Sequence, residues 1–153
     1  FIAKEGFKIK AGKVIVDVLF PFESLLGQEF EKSNDTSIVN RLTFGKSSFI
    51  FTGDISRLIE KELVNRWNQH LKSDVLKISH HGSRTSTDPK FVAAVLPEVS
   101  VISAGKNNRY GHPHQEVLET LANYRVMVLR TDELGDVTVN SDGNKLFVKY
   151  LKK

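Results

Sequence analysis

Two adjacent histidines, His80 and His81, close the apolar run Val75-Leu76-Lys77-Ile78 and lead into Gly82, Ser83 and the hydroxyl-rich Thr85-Ser86-Thr87. Imidazole changes charge near neutrality and is a common metal ligand, so the pair suits metal binding or proton transfer. In extended chain, neighbouring side chains point to opposite sides. The two rings then cannot share one ion: one would ligate while the other donates a hydrogen bond or proton. A pair of hydrogen-bonded loop histidines fits the same residues. Asp54 closes Phe51-Thr52-Gly53-Asp54. A carboxylate there could bridge two metal ions through its two oxygens, or cap a helix starting at Ile55, which aspartate does well. Ser83, Thr85 and Ser86 could hold phosphate through hydroxyls and backbone N–H groups, or form Ser/Thr turns ahead of Asp88. The loop from Gly105 to His114 carries Lys106, Asn107, Asn108, Arg109, Tyr110 and His112. Cations there neutralise a phosphate, and amide and phenol groups orient it. A helix N-terminus directly after the loop favours an anion as well. Ordinary turn residues with His114 as a cap are the alternative.

The elements that must position these groups are strands and helices in alternation. Residues 7 to 20 read as a hairpin ended by Pro21, and 21 to 37 as a polar loop or mobile insertion. Two strands follow, 38 to 44 and 48 to 52, and the run Phe49-Ile50-Phe51 suggests a strand covered on both faces. Ile55, Leu58, Ile59, Leu63, Trp67 and Leu71 fall on one helical stripe. A strand over 75–79 precedes the histidines. Asp88-Pro89 starts a helix as N-cap and first helical residue, with Phe91, Val92, Val95 and Leu96 inward. A strand at 99–103, a helix at 115–124, a strand at 125–130, a turn at Asp132 to Gly135 and a final hairpin complete the chain. This pattern predicts an α/β or mixed sheet with layered helices. Three of its loops, carrying Asp54, His80-His81 and Asn107 to His114, meet at one sheet edge.

The 153 residues suit one domain with a sizeable core. There are no cysteines, which excludes disulfides, thiolate zinc sites and cysteine nucleophiles. No apolar run approaches the length of a membrane span. The net charge of +4 permits an anionic partner such as nucleic acid, although Lys145, Lys149, Lys152 and Lys153 read as a solvated end. The first residue is Phe, and the expectation is a piece of a longer protein.

Taken together, Phe51-Thr52-Gly53-Asp54, the stretch from Asp74 to Ser83, and Asn107-Asn108-Arg109-Tyr110-Gly111-His112-Pro113 closely resemble the metallo-β-lactamase-like C-terminal domain of ComEC-type competence proteins. The likeness extends to Ser33-Asn34-Asp35-Thr36-Ser37 and to Arg130-Thr131-Asp132 with Gly135. It implies an αββα sandwich with mixed sheets, in which residues 1–153 form a single domain, the C-terminal portion of the family's domain. It implies a DNA-uptake channel protein in the cell membrane whose soluble, extracytoplasmic domain degrades the non-transported strand as a metal-dependent phosphodiesterase. By the family pattern Asp54 bridges two divalent ions, zinc or manganese, and His81 ligates one. His80 would then face substrate, with the roles of His80 and His81 open to exchange, and His80 or His112 would shuttle a proton as the catalytic residues. Ser83, Lys106, Asn107, Asn108, Arg109 and Tyr110 would hold the phosphate backbone of single-stranded DNA. The family's His-x-His-x-Asp-His motif is absent from this chain. The expectation is weak or no metal binding and no activity in this portion alone. Single-stranded DNA binding without cutting, or a scaffold role, is the alternative. Apolar sheet surface left uncovered would favour a homodimer.

Overall fold

The computed structural model describes residues 2–30 and 32–151. Its centre is a seven-stranded sheet whose strands lie side by side in chain order: β1 (Lys8–Ala11), β2 (Val14–Phe20), β3 (Val39–Phe44), β4 (Ser47–Phe51), β5 (Val75–Lys77), β6 (Val99–Ile102) and β7 (Met127–Arg130). The first four pair antiparallel and the last four parallel. Each parallel pair is joined by a helix: α1 (Arg57–Trp67), α2 (Pro89–Val95) and α3 (Gln115–Asn123). Right-handed crossovers between strands laid down in one direction place all three helices on one face of the sheet. The core sits between that face and the helices: Ile50, Leu76 and Ile102 from the strands meet Leu63, Phe91, Val92, Val95, Val117 and Leu121. Each of these side chains contributes roughly 1.5–3 kcal/mol by leaving water. A one-turn helix, α4 (Thr131–Leu134), leads into the hairpin β8 (Val137–Ser141) and β9 (Leu146–Tyr150).

The mixed α/β architecture expected from the alternation is what forms. The layers run helices, seven-stranded sheet, then the small second sheet. The hairpin tip seats on the β3–β4 turn, where the Lys46 N–H donates to the Gly143 carbonyl at 2.7 Å and the Ser141 and Ser47 hydroxyls meet at 2.7 Å. Gly143 (φ +88°) lies against the Phe44 ring, and a Cβ on Gly45 would collide with the Gly143 carbonyl oxygen.

Several expectations change. β4 is fully covered on one face only: Ile50 is fully buried, whereas Phe51 points to the other, partly covered face and is 39% exposed. The α1 stripe excludes Leu58, which faces solvent, and includes Glu60, which is buried. Leu96 is exposed as well: it ends α2 in left-handed conformation (φ 47°), which turns its side chain away from the helix's inner face. The strand before the histidines stops at Lys77, and Ser79–Gly82 forms a tight 3-10 turn. Asp132 to Gly135 is helical in part rather than a plain turn. The loop of 21–37 contains a 3-10 turn, Ser33–Thr36, that packs into the site. Lys145 and Lys149 are exposed, while Lys152 and Lys153 lie outside the described residues.

Candidate functional site at the C-terminal edge of the parallel strands

Parallel strands all end at the same edge, and the polar loops beyond them collect there. β4 delivers Asp54, β5 delivers His80 and His81, and β6 delivers the loop from Ser103 to His114. Asp54 does not cap α1. The helix starts at Arg57 with Ser56 at its N-cap, two residues beyond Asp54. The carboxylate instead lies 3.6 Å from His81 Nε2. Its position is set from behind: the Asp54 N–H donates to the Ser37 hydroxyl at 3.0 Å, and Gly53 (φ +57°) has no room for a Cβ, which would stand 2.6 Å from that of Ser37.

The two histidines are not extended. His80 (φ 48°, ψ 43°) and His81 (φ 55°, ψ 21°) both take left-handed backbone, so their rings do not project to opposite sides of a strand, and the ring centroids are 6.4 Å apart. This conformation costs an L-residue about 1–2 kcal/mol, and the surroundings hold it. The His80 N–H donates to the Gly53 carbonyl at 3.2 Å, and the Ser83 N–H to the His80 carbonyl at 2.9 Å. Gly82 (φ +80°) is pressed so closely on Pro113 that a Cβ would stand 2.6 Å from that ring.

Hydrogen bonds assign the ring nitrogens. His81 Nδ1 sits 2.7 Å from the Ser103 carbonyl. A carbonyl only accepts, so Nδ1 carries the proton, and in the neutral ring the Nε2 lone pair faces Asp54. His80 Nε2 lies 3.1 Å from the Asn34 amide nitrogen, a donor, so Nε2 accepts there. Of the two, His81 has the free lone pair beside the carboxylate. The histidine pair also divides two clefts. One, of about 330 Å³, is lined by Asn34, Asp35, Asp54, His80 and Thr85. The other, of about 470 Å³, is lined by His81, Gly105, Asn108, Tyr110 and His112.

Four of the five histidines gather at this edge. His80 and His112 ring centroids are 5.8 Å apart, and those of His112 and His114 5.0 Å. Burial lowers the His112 pKa, and the neighbouring imidazoles lower it further, so His112 is biased to the neutral form. His114 occupies the α3 N-cap position without capping through its side chain; its Nδ1 accepts the Arg84 N–H at 3.2 Å. Lys77 reaches up from β5 to donate to the Gly53 and Ile78 carbonyls at 3.2 and 3.3 Å. Burial lowers its pKa, with Asp54 pulling the other way.

Not every expected ligand-binding side chain is free. Asn108 uses its whole amide on the loop, donating to the Gly105 and His112 carbonyls and accepting the His112 N–H. Ser83 is buried, shares a hydrogen bond with Thr85 and forms the Ser/Thr turn weighed from the sequence, while Ser86 donates to the Ser79 and Ser83 carbonyls. Lys106, Asn107, Arg109 and Tyr110 are exposed at the loop tip. Arg109 donates to the Tyr110 hydroxyl at 2.6 Å and lies 4.9 Å over its ring. Asn34, Ser37, Lys77 and Thr131 are site-building residues that patterning alone did not assign. Thr131 accepts the Ala104 N–H and donates to the Ala104 carbonyl, bracing the strand end whose Ser103 carbonyl orients His81. Their one signal was that all but Lys77 lie in the flanking stretches Ser33 to Ser37 and Arg130 to Asp132.

A zinc site takes four ligands as a rule. Asp54 and His81 supply two adjacent donors, and among the described residues no group of three His, Asp or Glu side chains could hold one metal ion. Among the described residues, no helix is long and apolar enough to cross a membrane.

No family model matches the chain. It is similar to ComE operon protein 3 of Bacillus subtilis (strain 168), 41% identical over 85% of this chain and 17% of that protein. It is 37% identical to Competence protein ComA of Neisseria gonorrhoeae over 74% of this chain and 17% of that protein. Recombination protein 2 of Haemophilus influenzae matches at 35% identity over 78% of this chain and 15% of that protein. The chain thus spans about a sixth of the length of the curated relatives it matches.

Proposed function

This chain belongs to the ComEC-type competence proteins, of which it spans a small part, and from that membership we propose that its histidine edge engages the phosphate backbone of single-stranded DNA during uptake. The observation that carries the reading is the convergence of Asp54 and His81, 3.6 Å apart, beside a loop tip that exposes Lys106 and Arg109. Cations at that tip neutralise phosphate, and the exposed Tyr110 ring offers a base a stacking surface. In the longer protein, Asp54 and His81 would be two donors to a divalent centre, and such a centre would supply Lewis acidity for phosphodiester hydrolysis. That whole protein is a membrane channel with the present domain on its extracytoplasmic side, in a metallo-β-lactamase-like sandwich.

The described donors favour a second reading for the chain by itself: it binds without cutting, because two adjacent ligands do not close a metal site. Elemental analysis after equilibration with Mn²⁺ or Zn²⁺ separates the two. A chain extended upstream is expected to hold about two ions per domain, the number a two-metal hydrolase needs, and the present chain none. If neither holds metal, hydrolysis falls and DNA binding remains to be tested by itself.

A further inference from the structure

The loop between β5 and α2 contains three non-glycine residues with left-handed backbone: His80 (φ 48°), His81 (φ 55°) and Thr87 (φ 65°). For a β-branched residue such as Thr87 this is an outlier. Conformations of this kind persist only where the surrounding structure over-determines them. One side chain touches both ends of the loop. Glu60, on α1, is 1% exposed. Its Oε1 accepts the Ser79 hydroxyl at 2.7 Å and the Thr87 N–H at 3.0 Å, and its Oε2 accepts the Asp88 N–H at 2.6 Å. Ser79 is the residue before His80. Asp88 caps α2 by accepting the Lys90 N–H at 2.9 Å. The carboxylate thus fastens the entrance of the histidine turn to the strained exit of the same loop.

Packing does not call for a carboxylate here. Ile59 and Leu63 already join α1 to the core, and taking a charge out of water at an inward helical position is costly without strong partners. All three partners of Glu60 are neutral donors, and all three belong to the one loop that carries the histidines.

We propose that Glu60 is the positioning residue of the histidine turn, clasping Ser79 to Thr87 and Asp88 so that His80 and His81 are held in their left-handed conformation and aimed at the site. Its purpose rests on the reading of this edge as the phosphate-binding site; the geometry it asserts does not.

The test is a set of long-range proton–nitrogen correlation spectra of the imidazole rings, recorded on this chain at mildly alkaline pH for the wild type, Glu60→Gln and Glu62→Gln. Glutamine keeps the shape but turns one acceptor into a donor that faces an N–H. Glu62 is exposed on the same helix and serves as the control. In Glu60→Gln the His80 and His81 nitrogen signals are expected to shift and their tautomer balance to change, with His70 unmoved and Glu62→Gln like the wild type. Wild-type His80 and His81 signals in a folded Glu60→Gln, even with a lowered Tm, overturn the proposal, because a merely structural role moves Tm alone. If Glu60→Gln does not fold, Ser79→Ala decides in its place: displaced His80 and His81 signals support the clasp and unchanged ones overturn it. Displaced imidazoles with unaltered oligonucleotide binding keep the positioning role and remove the phosphate reading.

Discussion

The two faces of the seven-stranded sheet are finished to different degrees. On the helix face Ile50, Leu76 and Ile102 are all but fully buried against α1, α2 and α3. On the other, Phe44, Phe49, Phe51 and Val101 line a groove of about 540 Å³ that the β8–β9 hairpin covers only in part. Both faces are apolar, so composition does not separate them. The difference lies in what each face positions. The packed face fixes α1, and through Glu60 the histidine turn, to within hydrogen-bond distances. The open face contributes Lys77 to the site, and Thr131, which braces Ala104 beside the Ser103 carbonyl that orients His81. The backbone of the turn is therefore held from the helix layer, and the His81 ring is oriented from the open face.

The largest expected effect sharpens that contrast within a single strand. Ile50→Ala removes a fully buried side chain and should cost about 2–5 kcal/mol in denaturant unfolding. Its neighbour Phe51 faces the groove at 39% exposure, and Phe51→Ala should cost about 1 kcal/mol. Equal losses would mean that the second face is covered in solution, as in a homodimer, and light scattering would then show the larger species.

The pH dependence of stability comes next. Burial pushes the Glu60 carboxyl from its ordinary 4.5 up to about 7, against the pull of its Asp88, Ser79 and Thr87 donors. The folded chain thus holds a proton that the unfolded chain releases. The contribution of this group is full below about pH 4.5 and is lost as the pH rises through about 7. The change is on the order of 3 kcal/mol at most, and Glu60→Gln should flatten it. An ionised carboxylate that costs stability is consistent with a residue kept for geometry. A wild-type profile already flat over that interval would break the account.

Gly82→Ala should destabilise by about 1–3 kcal/mol, because left-handed backbone and the contact with Pro113 both oppose a side chain. Gly111→Ala meets nothing within 4 Å despite φ +69° and should cost only the backbone preference, about 1 kcal/mol. An effect of the same size is expected at Asp88: Asp88→Ala removes an N-cap bond worth about 1 kcal/mol. Calorimetry of the three variants gives the ranking.

Much of the fold was legible because its signals are local. Strand alternation, the Asp88-Pro89 helix start and three loops at one edge follow from period and turn chemistry, and each is present. The one-sided cover of β4 was not legible, since a run such as Phe49-Ile50-Phe51 looks the same whether one face or both are covered. The histidine turn reads as extended in the sequence because left-handed His80 and His81 are held by Gly53, Glu60 and Pro113, residues remote in sequence. Asp54 resembles a helix cap in sequence, and only the Gly53 turn with the Ser37 hydroxyl shows that it faces His81. Glu60 carries no signal in the sequence because a charged residue on a helical stripe ordinarily marks its solvent side.

Phosphate engagement at the loop tip is tested by the salt dependence of single-stranded oligonucleotide binding, followed by fluorescence anisotropy, for the wild type and for Lys106→Ala/Arg109→Ala. Log K should fall linearly with log salt, and the double variant should weaken binding and reduce the slope by about 1.4, roughly 0.7 for each lost phosphate contact. Binding that ignores salt, or a slope the double variant leaves unchanged, would contradict it.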